Sequence, residues 1–329
     1  MGYEVDFLPV KSGGAAISVR WGTPGHYKVL VYDGGTAVTG EYLVAHIEKL
    51  YMTSHVDYVV SSHPAMDHLT GLSVVLRNLT VGELWMHRPW ACAERMATDT
   101  GPAQELERLA KHRRIPVREP FAGAQIGPFT VLSPRRDWYL DALLPSFGKP
   151  LPSAMATSRA TRLMRFIRAL DPWMHRPTCE RLWPRPAIAA ENESSAVLYG
   201  EFDGRGVLLT GRAGVQALEA AASHAEGAGI DLRSRLRLIQ APDAGNLGHL
   251  SAEVLDRIVG PSMPHSRACT KSAFISVSLE ARQHLSRILT EALKRRGTAS
   301  FATLGMSLHH WYQMPDRGWY RARPAFRPR

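Results

Sequence analysis

Apolar residues along the first third of the chain fall in short runs separated by turns. Residues 3–10, 15–21 and 28–32 predict three strands, and the last enters the turn Asp33-Gly34-Gly35, whose glycines suit a tight strand exit. Residues 43–51 carry apolar positions three and four apart, the helical period, while 56–60 is the unbroken apolar run of a strand covered on both faces. A polar loop at 61–67 follows, then a helical pattern through Leu72, Val75, Leu76 and Leu79 and a strand at 83–87. Residues 104–113 predict a helix, and 115–117 and 129–132 predict strands.

Between about 134 and 190 prolines and arginines break every period, with 159–170 the one amphipathic stretch, so this region reads as an insert or lid. Beyond it, 195–201 and 206–209 flank Asp203-Gly204 as a hairpin. Helices at 215–225, 252–258 and 285–294 then alternate with strands at 236–239, 273–277 and 300–309. Strand, polar loop and helix in repeated order predict an α/β chain with helices outside two packed sheets, in one domain over 1–310. Residues 311–329 form a basic, aromatic tail.

Composition agrees with a folded chain. Among 329 residues, 45% are hydrophobic and 21% charged, which excludes a fibre or a solvating disordered chain. No apolar run reaches the roughly 18 to 20 residues that span a bilayer, and the first residues carry Glu4, Asp6 and Lys11, so no membrane role and a cytoplasmic location are expected. Cys92, Cys179 and Cys269 are too scattered for a disulfide framework or a thiolate cluster. The net charge is +10 and only seven of the forty basic residues are lysine. An arginine-rich surface suits phosphate or carboxylate partners: DNA, RNA or an acidic protein subunit.

The chemistry concentrates in Ser61-Ser62-His63-Pro64-Ala65-Met66-Asp67-His68. A histidine followed four and five residues later by Asp-His, between a strand and a helix start, can turn three N/O ligands onto one cation such as Zn²⁺ or Mn²⁺. The segment resembles the first motif of the metallo-β-lactamase fold, and more narrowly the hydrolase domain of the ComEC/Rec2-like DNA-uptake family. Supporting stretches occur in order at 29–35, 192–198, 206–214 and 240–246. The resemblance covers roughly residues 3 to 310 and implies a four-layer αββα sandwich with a metal-dependent phosphodiester hydrolase centre.

The same resemblance exposes departures. Position 65 is Ala where the family carries His or Asp, position 212 is Arg where it carries a metal-bridging Asp, and Asp243-Ala244 stands where it reads His-His. By resemblance His63 serves a first metal and Asp67 with His68 a second. A permanent guanidinium cannot ligate, and at 4 Å unit charges repel or attract by about 4 kcal/mol at an effective dielectric near 20. Arg212 is therefore expected to pair with Asp67 or Asp243 inside the cleft. The expectation is a catalytically inactive or impaired member, with no resident cofactor, acting as a binding or structural subunit in a larger assembly. The alternative is a nuclease-like hydrolase with an altered single-metal site holding one Zn or Mn ion on His63, Asp67 and His68, with Asp243 a further candidate. Asn192, Ser194 and Ser195 are possible substrate or anion contacts, or ordinary turn formers. Asp67 also reads as a helix-capping acid, and Asp33 as a residue that fixes its glycine turn. His309 and His310 stand at the entry to the tail and Trp311 and Trp319 lie in it; the tail either stacks on single-stranded nucleic acid or packs on its own domain or a partner.

Overall fold

The computed structural model describes residues 1–11, 14–92, 101–149, 182, 187–263 and 268–315. The expected stretch at 159–170, Trp319 and the rest of the tail beyond 315 lie outside them. β1 (Gly2–Phe7), β2 (Ala16–Thr23) and β3 (His26–Gly34) form an antiparallel meander. The chain then passes through α1 (Ala37–Leu50), β4 (His55–Val60), α2 (Met66–Asn78), β5 (Thr80–Trp85), α3 (Gly101–His112) and β6 (Val117–Arg118), and β3 to β6 run parallel.

The second half follows the same scheme. β7 (Gln125–Ile126), β8 (Phe129–Ser133), β9 (Val197–Phe202) and β10 (Arg205–Leu209) are antiparallel. After them α4 (Val215–Gly227), β11 (Leu236–Gln240), α5 (Ala252–Ile258), β12 (Lys271–Ile275), α6 (Arg287–Lys294) and β13 (Thr298–Ala302) extend the sheet with parallel strands. β14 (Leu308–Tyr312) returns to pair with β1. The result is two seven-stranded mixed sheets, ordered β14-β1-β2-β3-β4-β5-β6 and β13-β12-β11-β10-β9-β8-β7.

Alternation along the strands builds the layers. Tyr3, Val5, Phe7, Leu30, Tyr32, Val207 and Leu209 meet between the sheets, while Val29 and Val31 face α1, α2 and α3 through Leu43, Ile47, Leu72, Leu76 and Leu106. Leu208, Ile239 and Ile275 face the other helices through Leu218, Leu255 and Leu289. This is the four-layer αββα sandwich of metallo-β-lactamase type. Among the described residues no helix is long and apolar enough to cross a membrane.

One expected element divides. Residues 300–309 contribute to β13 and β14, which lie in different sheets, because Leu304 and Gly305 take positive φ of 43° and 80° and turn the chain across the sandwich. Both sheets present the C-terminal ends of parallel strands at one edge, where loops from β3, β4, β10 and β11 converge, as ligand sites in open α/β sheets do.

Candidate metal centre

Four loops build the centre. β3 carries Asp33 one residue before its end, β4 leads into Ser61 to His68, β10 into Thr210 to Ala213, and β11 into Ala241 to Asn246. Backbone bonds hold the loops together: Ala196 N–H donates to the Ser62 carbonyl at 2.9 Å and Asp243 N–H to the Gly211 carbonyl at 3.2 Å. The Tyr32 hydroxyl donates to the Ala196 carbonyl at 2.8 Å, joining the two sheets. Gly211, at φ 57°, allows this approach, since a methyl group there would lie 2.8 Å from Ser62 Oγ.

Asp33 organises the histidines. Its carboxylate accepts from Ser62 N–H at 2.8 Å, Ser62 Oγ–H at 2.7 Å and His68 Nδ1 at 2.7 Å. The single hydroxyl proton of Ser62 is spent on Asp33, so at the 2.8 Å contact with His63 Nδ1 the serine oxygen accepts and the ring donates. One carboxylate thus fixes both tautomers, directly for His68 and through Ser62 for His63. Both rings thereby turn Nδ1 to the protein and leave Nε2 outside these bonds, the orientation carboxylates impose on metal-binding histidines. The ring centroids are 4.4 Å apart. His63 is 2% exposed and its Nε2 has no hydrogen-bond partner among the described residues. Burial, with the charges of His68, Arg212 and His249 behind it, holds His63 well below the usual histidine range. Asp33, His63 and His68 offer ligand atoms all within 4.8 Å of one another.

Beside them lies an ion cluster centred on Arg212. Its Nη2 contacts Asp67 Oδ2 at 2.5 Å and its Nε contacts Asp243 Oδ1 at 3.1 Å. The Arg212 backbone is pinned as well, with its N–H donating to Ser195 Oγ at 3.2 Å and its carbonyl accepting from His249 Nδ1 at 2.9 Å. His249 Nε2 lies 3.1 Å from Asp243 Oδ2. Both partners of His249 are acceptors, so this geometry uses a proton on each ring nitrogen. Arg212 and His249 then balance Asp67 and Asp243. Burial opposes ionisation of Asp243, but hydrogen bonds from His249 and Asn246 and the charges of His249 and Arg212 overcome it, holding the carboxyl down at about 2.

The sequence candidates therefore separate. His63 and His68 come together, with Asp33 as their compact third member, while the Asp67 and Asp243 carboxylates turn to Arg212. Asp67 stays in the first turn of α2, whose N-cap is Ala65 with no side-chain cap bond. Ser195 touches the Arg212 backbone, the Ser194 hydroxyl donates to the Glu191 carbonyl at 2.7 Å, and the Asn192 carbonyl accepts from Ser195 N–H. His309 is held by Asp6, at 2.6 Å from Nδ1 to Oδ1, in a separate buried cluster with His46 and Tyr51. Sequence reasoning missed His249 and the orienting role of Asp33, although Asp33 preceding a double glycine was a visible signal.

A metal pair does not fit this donor set, because a guanidinium lies between the two carboxylates that would hold it. A single cation does fit: the unpartnered Nε2 of buried His63, beside His68 with its Nδ1 already committed, is the donor chemistry of a partial, non-canonical metal cluster.

No protein-family model matches the sequence, and no curated protein is similar enough to match. Solved structures do match at low identity. The metallo-β-lactamase fold protein YhfI of Bacillus subtilis is 11% identical, over 94% of this chain and 100% of its own, with a TM-score of 0.46. A diphosphatase of the PhnP family is 11% identical over 94% and 98%, with a TM-score of 0.40. The metallo-β-lactamase SMB-1 is 12% identical over 77% and 91%, with a TM-score of 0.36.

Proposed function

We propose that this protein is an altered, nuclease-like phosphodiester hydrolase that works with one divalent cation, Zn or Mn, in place of a metal pair. One observation carries the reading: a buried imidazole, His63, keeps an unpartnered Nε2 beside His68 while Asp33 and Ser62 fix both tautomers. A purely structural histidine in that position would be expected to use both nitrogens. A bound cation supplies acidity to a water molecule and polarises a phosphoryl oxygen. His63 and His68 hold it, and Asp67, next to His68 on α2, is the further candidate ligand. The net charge of +10 and the preference for arginine support a polyanionic substrate, DNA or RNA. The scattered cysteines support a reducing, cytoplasmic setting.

A second reading, a metal-free binding subunit within a protein assembly, is favoured by the balanced cluster of Asp67, Arg212, Asp243 and His249, which satisfies those acids without any ion. Metal content by mass spectrometry after purification without chelator, followed by zinc and manganese titration of wild type and His63→Ala, separates the two. The hydrolase reading expects one ion per chain in wild type after loading, none in His63→Ala, and metal-stimulated cleavage of single-stranded DNA or RNA. Wild type that takes up no ion at millimolar metal leaves the binding subunit as the function.

A further inference from the structure

Resting on the one-cation reading, we infer that Arg212 is a displaceable internal cation: it competes with the metal for Asp67, and once displaced presents its guanidinium to an anionic group of the substrate. The two acids that hold it are not equivalent. Asp243 keeps His249 and Asn246, at 3.1 and 2.9 Å, whether or not the arginine is present. Asp67 has Arg212 as its only charged side-chain partner among the described residues. Losing the guanidinium leaves Asp67 as the unbalanced carboxylate, beside His68 in the sequence.

The backbone of Arg212 cannot follow such a movement. Its N–H is bound to Ser195 Oγ and its carbonyl to His249. Displacement is therefore a change of side-chain torsions about a fixed pivot, and the side chain, 23% exposed, already reaches solvent. A divalent ion held by His63 and His68 would repel the guanidinium and attract Asp67, and both effects would act in the direction of release. A planar guanidinium on a fixed pivot at the rim of a cation site is suited to a bidentate contact with phosphate oxygens.

The test is calorimetric titration of metal-stripped wild type, Arg212→Gln and Arg212→Lys with zinc alone and with manganese alone. Arg212→Gln should bind one ion at least tenfold more tightly than wild type, and Arg212→Lys should stay near wild type because it keeps a competing charge. Inorganic phosphate added to the loaded proteins should bind wild type more tightly than Arg212→Gln. In wild type itself, the Arg212 Nε–H nuclear magnetic resonance signal should shift in step with one equivalent of zinc, which keeps the test available if the variants do not fold. Equal metal affinity in wild type and Arg212→Gln, or an Arg212 signal unchanged through zinc saturation, overturns displacement and leaves the one-cation reading standing. Failure of both wild type and Arg212→Gln to bind any ion overturns the reading and the inference together.

Discussion

Asp33 sits at φ 57° with its side chain fully buried, and three donors converge on its carboxylate. Asp tolerates the left-handed region better than most residues, so the site obtains its acceptor at a position that also turns the chain. Asp33→Ala should strand those donors and destabilise the protein by about 3–5 kcal/mol in urea unfolding, while Asp33→Asn, which keeps one acceptor oxygen, should cost less. A loss under 1 kcal/mol for the alanine variant would contradict the network. Arg212→Ala is the complementary case. Its ion pairs are about a quarter exposed, at 23% for the arginine and 27% and 22% for the acids, so screening reduces their worth. In chelator the expected loss is about 2 kcal/mol, between surface and buried pairs, and thermal unfolding with and without zinc measures it. Of these residues, His63, Asp67 and His68 were legible because the loop is local. The orienting bonds of Asp33 span 29 and 35 positions and depend on β3 lying beside β4, and His249 reaches Arg212 across 37 positions. A linear pattern does not carry such pairings.

At the scale of elements, the position of α2 decides where His68 points. Gly71 is the contact: its N–H donates to the Gly35 carbonyl at 2.9 Å, and a methyl group on it would lie 1.9 Å from the Gly34 oxygen. Backbone atoms on both sides leave nothing flexible to yield. Gly71→Ala should therefore cost about 1–3 kcal/mol and weaken zinc binding as α2 is pushed from the β3 turn; normal stability together with normal metal affinity would refute the close approach. The loop after β11 is strained in the opposite sense, with Asp243, Ala244 and Gly245 all at positive φ, 44°, 55° and 76°. Ala244→Gly should relieve left-handed strain and, after the entropic cost of glycine in the unfolded chain, stabilise the protein by about 0.5–1 kcal/mol. The longer strands of the first sheet, β1 to β5, were readable from alternation and apolar runs, while β6 meets the expected strand at 115–117 only at Val117. The division of 300–309 was not, since its apolar content suits either sheet and only the turn at Leu304-Gly305 separates β13 from β14.

For the whole molecule, the balance of charge and burial sets how the sandwich responds to acid. The four-layer order followed from strand, loop and helix alternation together with the family resemblance, because each half repeats the same scheme of meander followed by parallel strands. What the pattern did not carry was which polar side chains the layers enclose. His87, just past β5, is 4% exposed, with its ring stacked 4.6 Å from Tyr139 and tilted against Phe121 at 5.0 Å. Burial pushes it down to about 3, the Ser194 backbone opposing this only in part. In the unfolded chain an ordinary histidine takes up its proton near pH 6.5, so between 6.5 and about 3 the unfolded state binds a proton that the folded state refuses. Stability is full above 6.5 and falls as the pH is lowered through this window, by about 5 kcal/mol across its whole width. His87→Phe keeps an aromatic ring against Tyr139 and removes the proton, so its midpoint in urea should fall less than that of wild type between pH 7.5 and 4. Buried His310, lowered to about 4 by its own burial, is present in both proteins, so the difference between their slopes isolates His87. A constant gap between the two proteins over that range would mean that His87 is not held neutral in the folded state and that acid acts on the sandwich elsewhere.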